Sequence, residues 1–139
     1  MEQQVWPDVV VRRPHPRHVL MSISANHKPQ KANSIILPHV DVRGDIDAIN
    51  RGRRQFDPTT RQVVVRGRVY GMHDDGRTFP IRGDGIVELS RGAFRALTIL
   101  RAYNGPNDAA DYRMSRELDI TDEDRLIAIR LWHIRTEAD

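Results

Sequence analysis

The alternation of apolar and polar positions changes period most clearly near Ser90. Before it, short apolar runs are separated by Gly, Pro and Asp. After it, apolar residues recur every three or four positions. The clearest stretch of the first kind is 61–89, where the pattern predicts a β-meander. Arg61–Val65 reads as one strand, Arg66-Gly67 as a turn and Arg68–His73 as the return strand. Asp75-Gly76 is a two-residue hairpin signal that predicts a type I′ turn, with positive φ at both central positions. Arg77–Ile81 follows, with Pro80 placing that strand at a sheet edge. Gly83-Asp84-Gly85 breaks the pattern, and Ile86–Leu89 is a last short strand.

From Ser90 the helical period predicts three helices, at about 91–103, 108–118 and 122–135. Ser90 and Asn107 stand where N-caps are needed, and Thr121 with Asp124 has the spacing of a capping box. The expected inward stripes are Ala93, Leu97, Leu100 and Tyr103, then Ala110, Met114 and Leu118, then Ile127, Leu131 and Ile134. Leu126, Ile129 and Trp132 form a second apolar flank on the last helix. A helix apolar over so much of its circumference is central to a fold or part of an interface. A shorter helix is expected at Asp45–Arg51, with Ile46 and Ile49 on one face and Gly52 as its stop. Ile35-Ile36-Leu37 is an apolar run ending at Pro38.

The first 33 residues contain Pro7, Pro14, Pro16 and Pro29, each of which removes a backbone donor, so no long helix runs through them. They read as an extended basic arm, ordered against a partner, with short strand segments at Val9–Val11 and His18–Ile23. The expected organisation is therefore an arm at 1–33 and one α+β domain at 34–139: a small antiparallel meander followed by three C-terminal helices.

Charge adds direction to this picture. The 139 residues carry a formal net charge of +3. Residues 1–33 and 34–83 each contribute +3, and 84–139 contribute −3. A basic front and an acidic back point to an anionic partner for the front, although packing of the halves against each other explains the same asymmetry. Twenty of the 22 cations are Arg, whose planar fork suits phosphates and carboxylates. The expected contacts to nucleic acid or an acidic protein are Arg12, Arg13 and Arg17 in the arm, and Arg51, Arg53, Arg54, Arg61, Arg66 and Arg68 near the meander. Tyr103 and Trp132 are the expected anchors of self-association or docking through the C-terminal helices.

Candidate chemistry is sparse. With no Cys, thiolate zinc sites, disulfides and cysteine nucleophiles are excluded. No nucleotide-binding glycine loop, Gly-x-Ser-x-Gly elbow or His-Glu-x-x-His occurs. No cofactor and no metal are expected. His39 and Asp41 share a face on an extended chain and supply two ligands or a His–Asp base pair, but the plainer role for Asp41 is to cap the short helix. His73 and Arg77, at the ends of the hairpin, supply a base and a phosphate-holding cation. Asp74-Asp75-Gly76 between them is sufficiently explained by turn chemistry. A helix-turn-helix at 108–135 is disfavoured, because its reading helix would present Asp122-Glu123-Asp124 to phosphates. Two Arg-Gly-Asp tripeptides, at 43–45 and 82–84, form a short internal echo without being long enough to define a repeat.

No apolar run reaches membrane-spanning length, and the start lacks a signal-like basic and apolar region. The expected protein is a small cytosolic accessory or regulatory factor whose Arg-rich front contacts nucleic acid or an acidic partner. The alternatives are a compact metal-independent ribonuclease of the bacterial toxin kind, making the chain one component of a toxin–antitoxin pair, and a purely protein-binding inhibitor or assembly module.

Overall fold

A computed structural model describes residues 10–27 and 32–138. Pro7, Val9 and Pro29, named above, lie outside the described residues.

The chain is α+β. Strand β1 (Asn33–Ile36) leads to helix α1 (Val42–Asn50). Strands β2 (Gln55–Asp57), β3 (Gln62–Val65), β4 (Arg68–Met72) and β5 (Thr78–Gly83) form an antiparallel sheet in that order. Strand β6 (Ile86–Leu89) leaves the meander and pairs antiparallel with β1, with Asn33 opposite Leu89 and Ile36 opposite Ile86. Helices α2 (Arg91–Ala102), α3 (Asp108–Ser115) and α4 (Asp122–Ala138) complete the chain.

The β1–β6 ribbon divides two cores. Successive side chains of a strand point to opposite faces. Ile35 therefore enters the helical core with Leu89, Phe94, Leu97, Leu100, Met114 and Leu131, whereas Ile36 enters the meander core with Ile46, Ile49, Phe56, Val63, Val65 and Tyr70. Neither β1 nor β2 was legible as a strand. Both are short, and β1 supplies apolar residues to both faces, so it lacks the alternation that marks a strand.

Turn chemistry decides the meander. The type I′ turn is at Arg66-Gly67, where both residues have positive φ (51° and 84°) and Val65 pairs with Arg68. At the other hairpin the expectation of a two-residue I′ turn at Asp75-Gly76 is corrected. His73 N–H donates to Arg77 O, Gly76 N–H donates to His73 O, and Gly76 alone has positive φ (88°). That is a three-residue loop, a type I turn closed by a left-handed glycine, which carries the same right-handed twist into the strands. Gly76→Val should therefore destabilise by about 1–2 kcal/mol, and Gly76→Asn by less, because Asn tolerates the left-handed region. Urea-unfolding midpoints of the two variants measure the difference. β5 lies at the edge of its sheet, as Pro80 requires.

The helical caps form as expected. Ser90 Oγ accepts from Ala93 N–H, Asn107 Oδ1 from Ala110 N–H, and Thr121 and Asp124 exchange the two bonds of a capping box. Ser90 Oγ also donates to Asp124 Oδ1 at 2.8 Å, tying the starts of α2 and α4 together. The inward faces differ from the expected stripes. Leu118 lies beyond α3 and is fully exposed, Tyr103 is the C-cap of α2 and 40% exposed, and Ile134 and Leu126 face outward. Ala128, Leu131 and Trp132 form the buried face of α4. α4 starts from a cap that turns its Asp124 inward, and this rotates the buried stripe.

The largest correction concerns the N-terminal segment, which is not a loose arm between residues 10 and 27. Val11 is 2% exposed in the meander core, and Leu20 and Ile23 are buried in the helical core. The Asn50 amide clamps Val11 at both its N–H and its carbonyl. Arg12 pairs in parallel with Arg77 on the free edge of β5, and Val19 pairs with Ile36 on β1. Two 3₁₀ turns, Pro16–His18 and Leu20–Ser22, lie between and after these bridges. The segment thus covers sheet edges that would otherwise stay open. A domain boundary after residue 33 would cut through both cores and through the first residue of β1.

Candidate functional site

Two groups of polar side chains stand out: a closed ion-pair network beneath α1, and an open cleft beside the β4–β5 hairpin.

The network is built on Asp45, whose side chain is fully buried in the first turn of α1. Asp41 caps that helix by accepting from Gly44 N–H at 2.9 Å, and this bond, helped by Arg66, holds the Asp41 carboxyl below its ordinary range. Arg68 donates Nε and Nη2 to Asp45 at 2.6 and 2.8 Å in the bidentate geometry that suits its fork. Tyr70, two residues along and on the same face of β4, donates its hydroxyl to Asp45 at 2.6 Å. Burial, and then Asp45, push the Tyr70 phenol up and keep it a donor; the Asp45 bond likewise raises Arg68. Arg66 Nη1 lies 3.5 Å from Asp41 and 3.6 Å from Asp45. On the outer side Asp84 lies 3.6 Å from Arg68 Nη1, with His39 Nε2 3.8 Å from Asp84. The two Arg-Gly-Asp echoes thus deliver both of their carboxylates to one guanidinium. The network locks α1 and the two tight turns onto β4.

Several expected site residues are accounted for here. Arg68, 6% exposed with its fork occupied, is not a surface contact for a partner. Asp41 is the helix cap, and His39 faces Asp84. Among the described residues no three His, Asp or Glu side chains converge as metal ligands, so this pair gains no third member. Arg12 pairs with Asp75 at 2.8 Å, Arg61 with Asp74 at 3.6 Å. Asp75 accepts from Arg77 N–H, which holds its carboxyl down and makes it a turn residue. Trp132 is 5% exposed, stacked near Arg135 within the helical core, and is no docking anchor.

The cleft has a volume of about 730 Å³ and is lined by Arg17, His18, Ser34, His73, Phe79 and Glu88 among others. Arg17 and His18 end the first 3₁₀ turn, and Asn33 Nδ2 donates to Arg17 O at 2.8 Å, fixing that turn on β1. The Arg17 guanidinium stands 5.9 Å from the Phe94 ring centroid, and among the described residues it has no carboxylate partner. Its Nε is buried without a hydrogen-bond partner.

His18 Nδ1 lies 3.1 Å from Ser34 O. A carbonyl only accepts, so Nδ1 carries the proton and Nε2 is the acceptor of the neutral ring. Burial lowers the His18 pKa, with Arg17 and His15 adding to it and the Ser34 and Asn33 contacts opposing it.

On the hairpin, Gly71 pairs with Phe79 and has no side chain to keep the ring away, so Phe79 lies across β4. Its centroid is 4.7 Å from that of His73, which is exposed at the rim. His73 is thus placed in the cleft, whereas Arg77, its expected companion, meets it through the backbone and is not among the cleft residues. His18, Ser34 and Phe79 were not picked out as site residues. His18 sits in the segment read as an arm, and nothing local in the sequence marks a histidine for burial.

A second depression of about 340 Å³ lies along α1, lined by Arg51, Arg53 and Arg66 with Gly44, Asp47 and Ala48. Arg51 and Arg53 are exposed and, among the described residues, have no carboxylate partner. Arg13 is exposed elsewhere, and Arg54 donates to Gly52 O. Among the described residues no helix is long and apolar enough to cross a membrane.

Comparison with protein-family models, with curated proteins and with solved structures finds nothing that matches this chain.

Proposed function

We propose that this protein binds nucleic acid through its phosphates, as a small accessory factor of the cytoplasm. The carrying observation is the depression along α1, where Arg51 and Arg53 present guanidinium groups to solvent beside Arg66. Ion pairing within the chain engages Arg12, Arg61, Arg66 and Arg68 of the Arg set expected from sequence. Arg51, Arg53 and, in the cleft, Arg17 keep their forks available. Several donors in one field are sufficient for phosphate contact, and the basic balance of residues 10–83 supplies the field.

Affinity for a mixed-sequence RNA oligonucleotide should fall log-linearly with salt. The double variant Arg51→Ala/Arg53→Ala should flatten that slope by about 1.4, at ~0.7 per phosphate on a single strand. Arg101→Ala/Arg130→Ala removes equal charge from exposed positions on α2 and α4 and should leave the slope unchanged. Fluorescence anisotropy across a salt series measures both. Binding that ignores salt, or slopes that fall equally, would refute the localised interface and favour a protein partner.

A further inference from the structure

We propose that the cleft holding Arg17, His18 and His73 is a ribonuclease site, with His18 as general base, His73 as general acid and Arg17 as the holder of the scissile phosphate of single-stranded RNA. The proposal rests on the nucleic-acid reading above and uses residues separate from the α1 depression.

Each role has its own geometry. The Ser34 carbonyl fixes the His18 ring through Nδ1 and leaves Nε2 to accept a proton. Burial favours the neutral ring, the form a base requires. Arg17 and His15 act in the same direction as burial, and the Ser34 and Asn33 contacts oppose it. Arg17 is preset on the Phe94 face and forms no ion pair among the described residues, so an anion entering the cleft meets a guanidinium with donors to offer. His73 stands at the accessible rim, where a leaving group departs to solvent. Phe79, drawn over Gly71, places an aromatic ring in the cleft lining 4.7 Å from that of His73. A cleft of about 730 Å³ is of the size that takes a nucleotide unit.

The step balances with RNA alone. His18 Nε2 takes the proton of a ribose 2′-hydroxyl, and the 2′-oxygen forms a bond to phosphorus. The bond from phosphorus to the 5′-oxygen of the next nucleotide breaks, and protonated His73 gives its proton to that oxygen. Arg17 donates to the non-bridging oxygens as their charge rises. The products are a 2′,3′-cyclic phosphate and a 5′-hydroxyl end. Glu88 is the carboxylate of the cleft lining and the competing base.

The test incubates the full chain with a fluorescent RNA oligonucleotide in EDTA and identifies the ends by mass spectrometry. Cleavage to cyclic phosphate and 5′-hydroxyl is expected, and a 2′-O-methyl oligonucleotide should bind uncut. His73→Ala, an exposed substitution, and His18→Asn should each lower turnover on the order of 100-fold or more with affinity within a few-fold. Arg17→Ala should lower both affinity and turnover, and His133→Ala on the exposed face of α4 should change neither. Binding without cleavage would overturn the ribonuclease site and leave the nucleic-acid reading intact; absence of binding would overturn both. Cleavage that survives His18→Asn and His73→Ala, or that is lost with Glu88→Gln in place of His18→Asn, would overturn the assigned roles.

Discussion

Asp45→Ala should cost about 3–5 kcal/mol, the range for removing one partner of a buried ion pair. The loss is not that of one attractive contact. Asp45 accepts from Arg68 twice and from Tyr70 once, at 2.6–2.8 Å, and among the described residues no other carboxylate meets the buried Nε and Nη2. Asp84 reaches only the outer Nη1, at 3.6 Å. The variant therefore leaves Arg68 Nε and Nη2 and the Tyr70 hydroxyl desolvated without their acceptor. Against the ~5–15 kcal/mol that holds a typical domain together, this is a large fraction. The compensating variant Asp45→Ala/Arg68→Met removes the stranded charge and should recover part of the loss, because it is the orphaned guanidinium that costs most. Urea-unfolding midpoints of the two variants separate these contributions. A loss below ~1 kcal/mol in Asp45→Ala would place the pair in the class of solvent-screened surface bridges and remove its role as the lock between α1 and β4.

The sequence made much of this architecture readable, and the physical reason is local. The turns at Arg66-Gly67 and around Gly76, the caps Ser90, Asn107 and Thr121, and the change of period at Ser90 are encoded within a few residues. Each appears where expected. What was not readable depends on partners distant in the chain. β6 follows the meander directly yet pairs with β1, about fifty residues back, and nothing in Ile86–Leu89 distinguishes that neighbour from β5. Asp45 looks like an ordinary acid in a first helical turn, and Arg68 like one more surface cation. Only the fold shows that the first neutralises the second.

The candidate site follows the same rule. His73 was found because a hairpin signal surrounds it. His18 was missed because its contacts come from β1, not from its own neighbours in sequence. Proline content made the surrounding segment look detachable, since Pro forbids a long helix. It does not forbid short 3₁₀ turns and single bridges laid along the edges of sheets formed elsewhere.

Removing residues 1–32 should abolish cooperative folding. The truncation takes Val11 from the meander core and Leu20 and Ile23 from the helical core, all at most 3% exposed. Burial of each is worth ~1.5–3 kcal/mol, so together the three approach or exceed half of a typical domain's ~5–15 kcal/mol. The loss also opens the β5 edge now covered by Arg12, and leaves Thr78 N–H and Oγ1 without the Arg12 carbonyl they share. An exposed edge invites pairing between chains, so the truncated protein should show aggregation as well as a collapsed far-UV circular dichroism signal. The single variant Leu20→Ala tests the same contact in the full chain and should cost ~2–5 kcal/mol, as large-to-small changes at fully buried sites do. A truncated chain that stays monomeric and melts cooperatively near the temperature of the full chain would show that residues 33–139 close both cores unaided. The boundary suggested by the proline-rich sequence would then stand, and the buried contacts of Val11, Leu20 and Ile23 would be accessory to the fold.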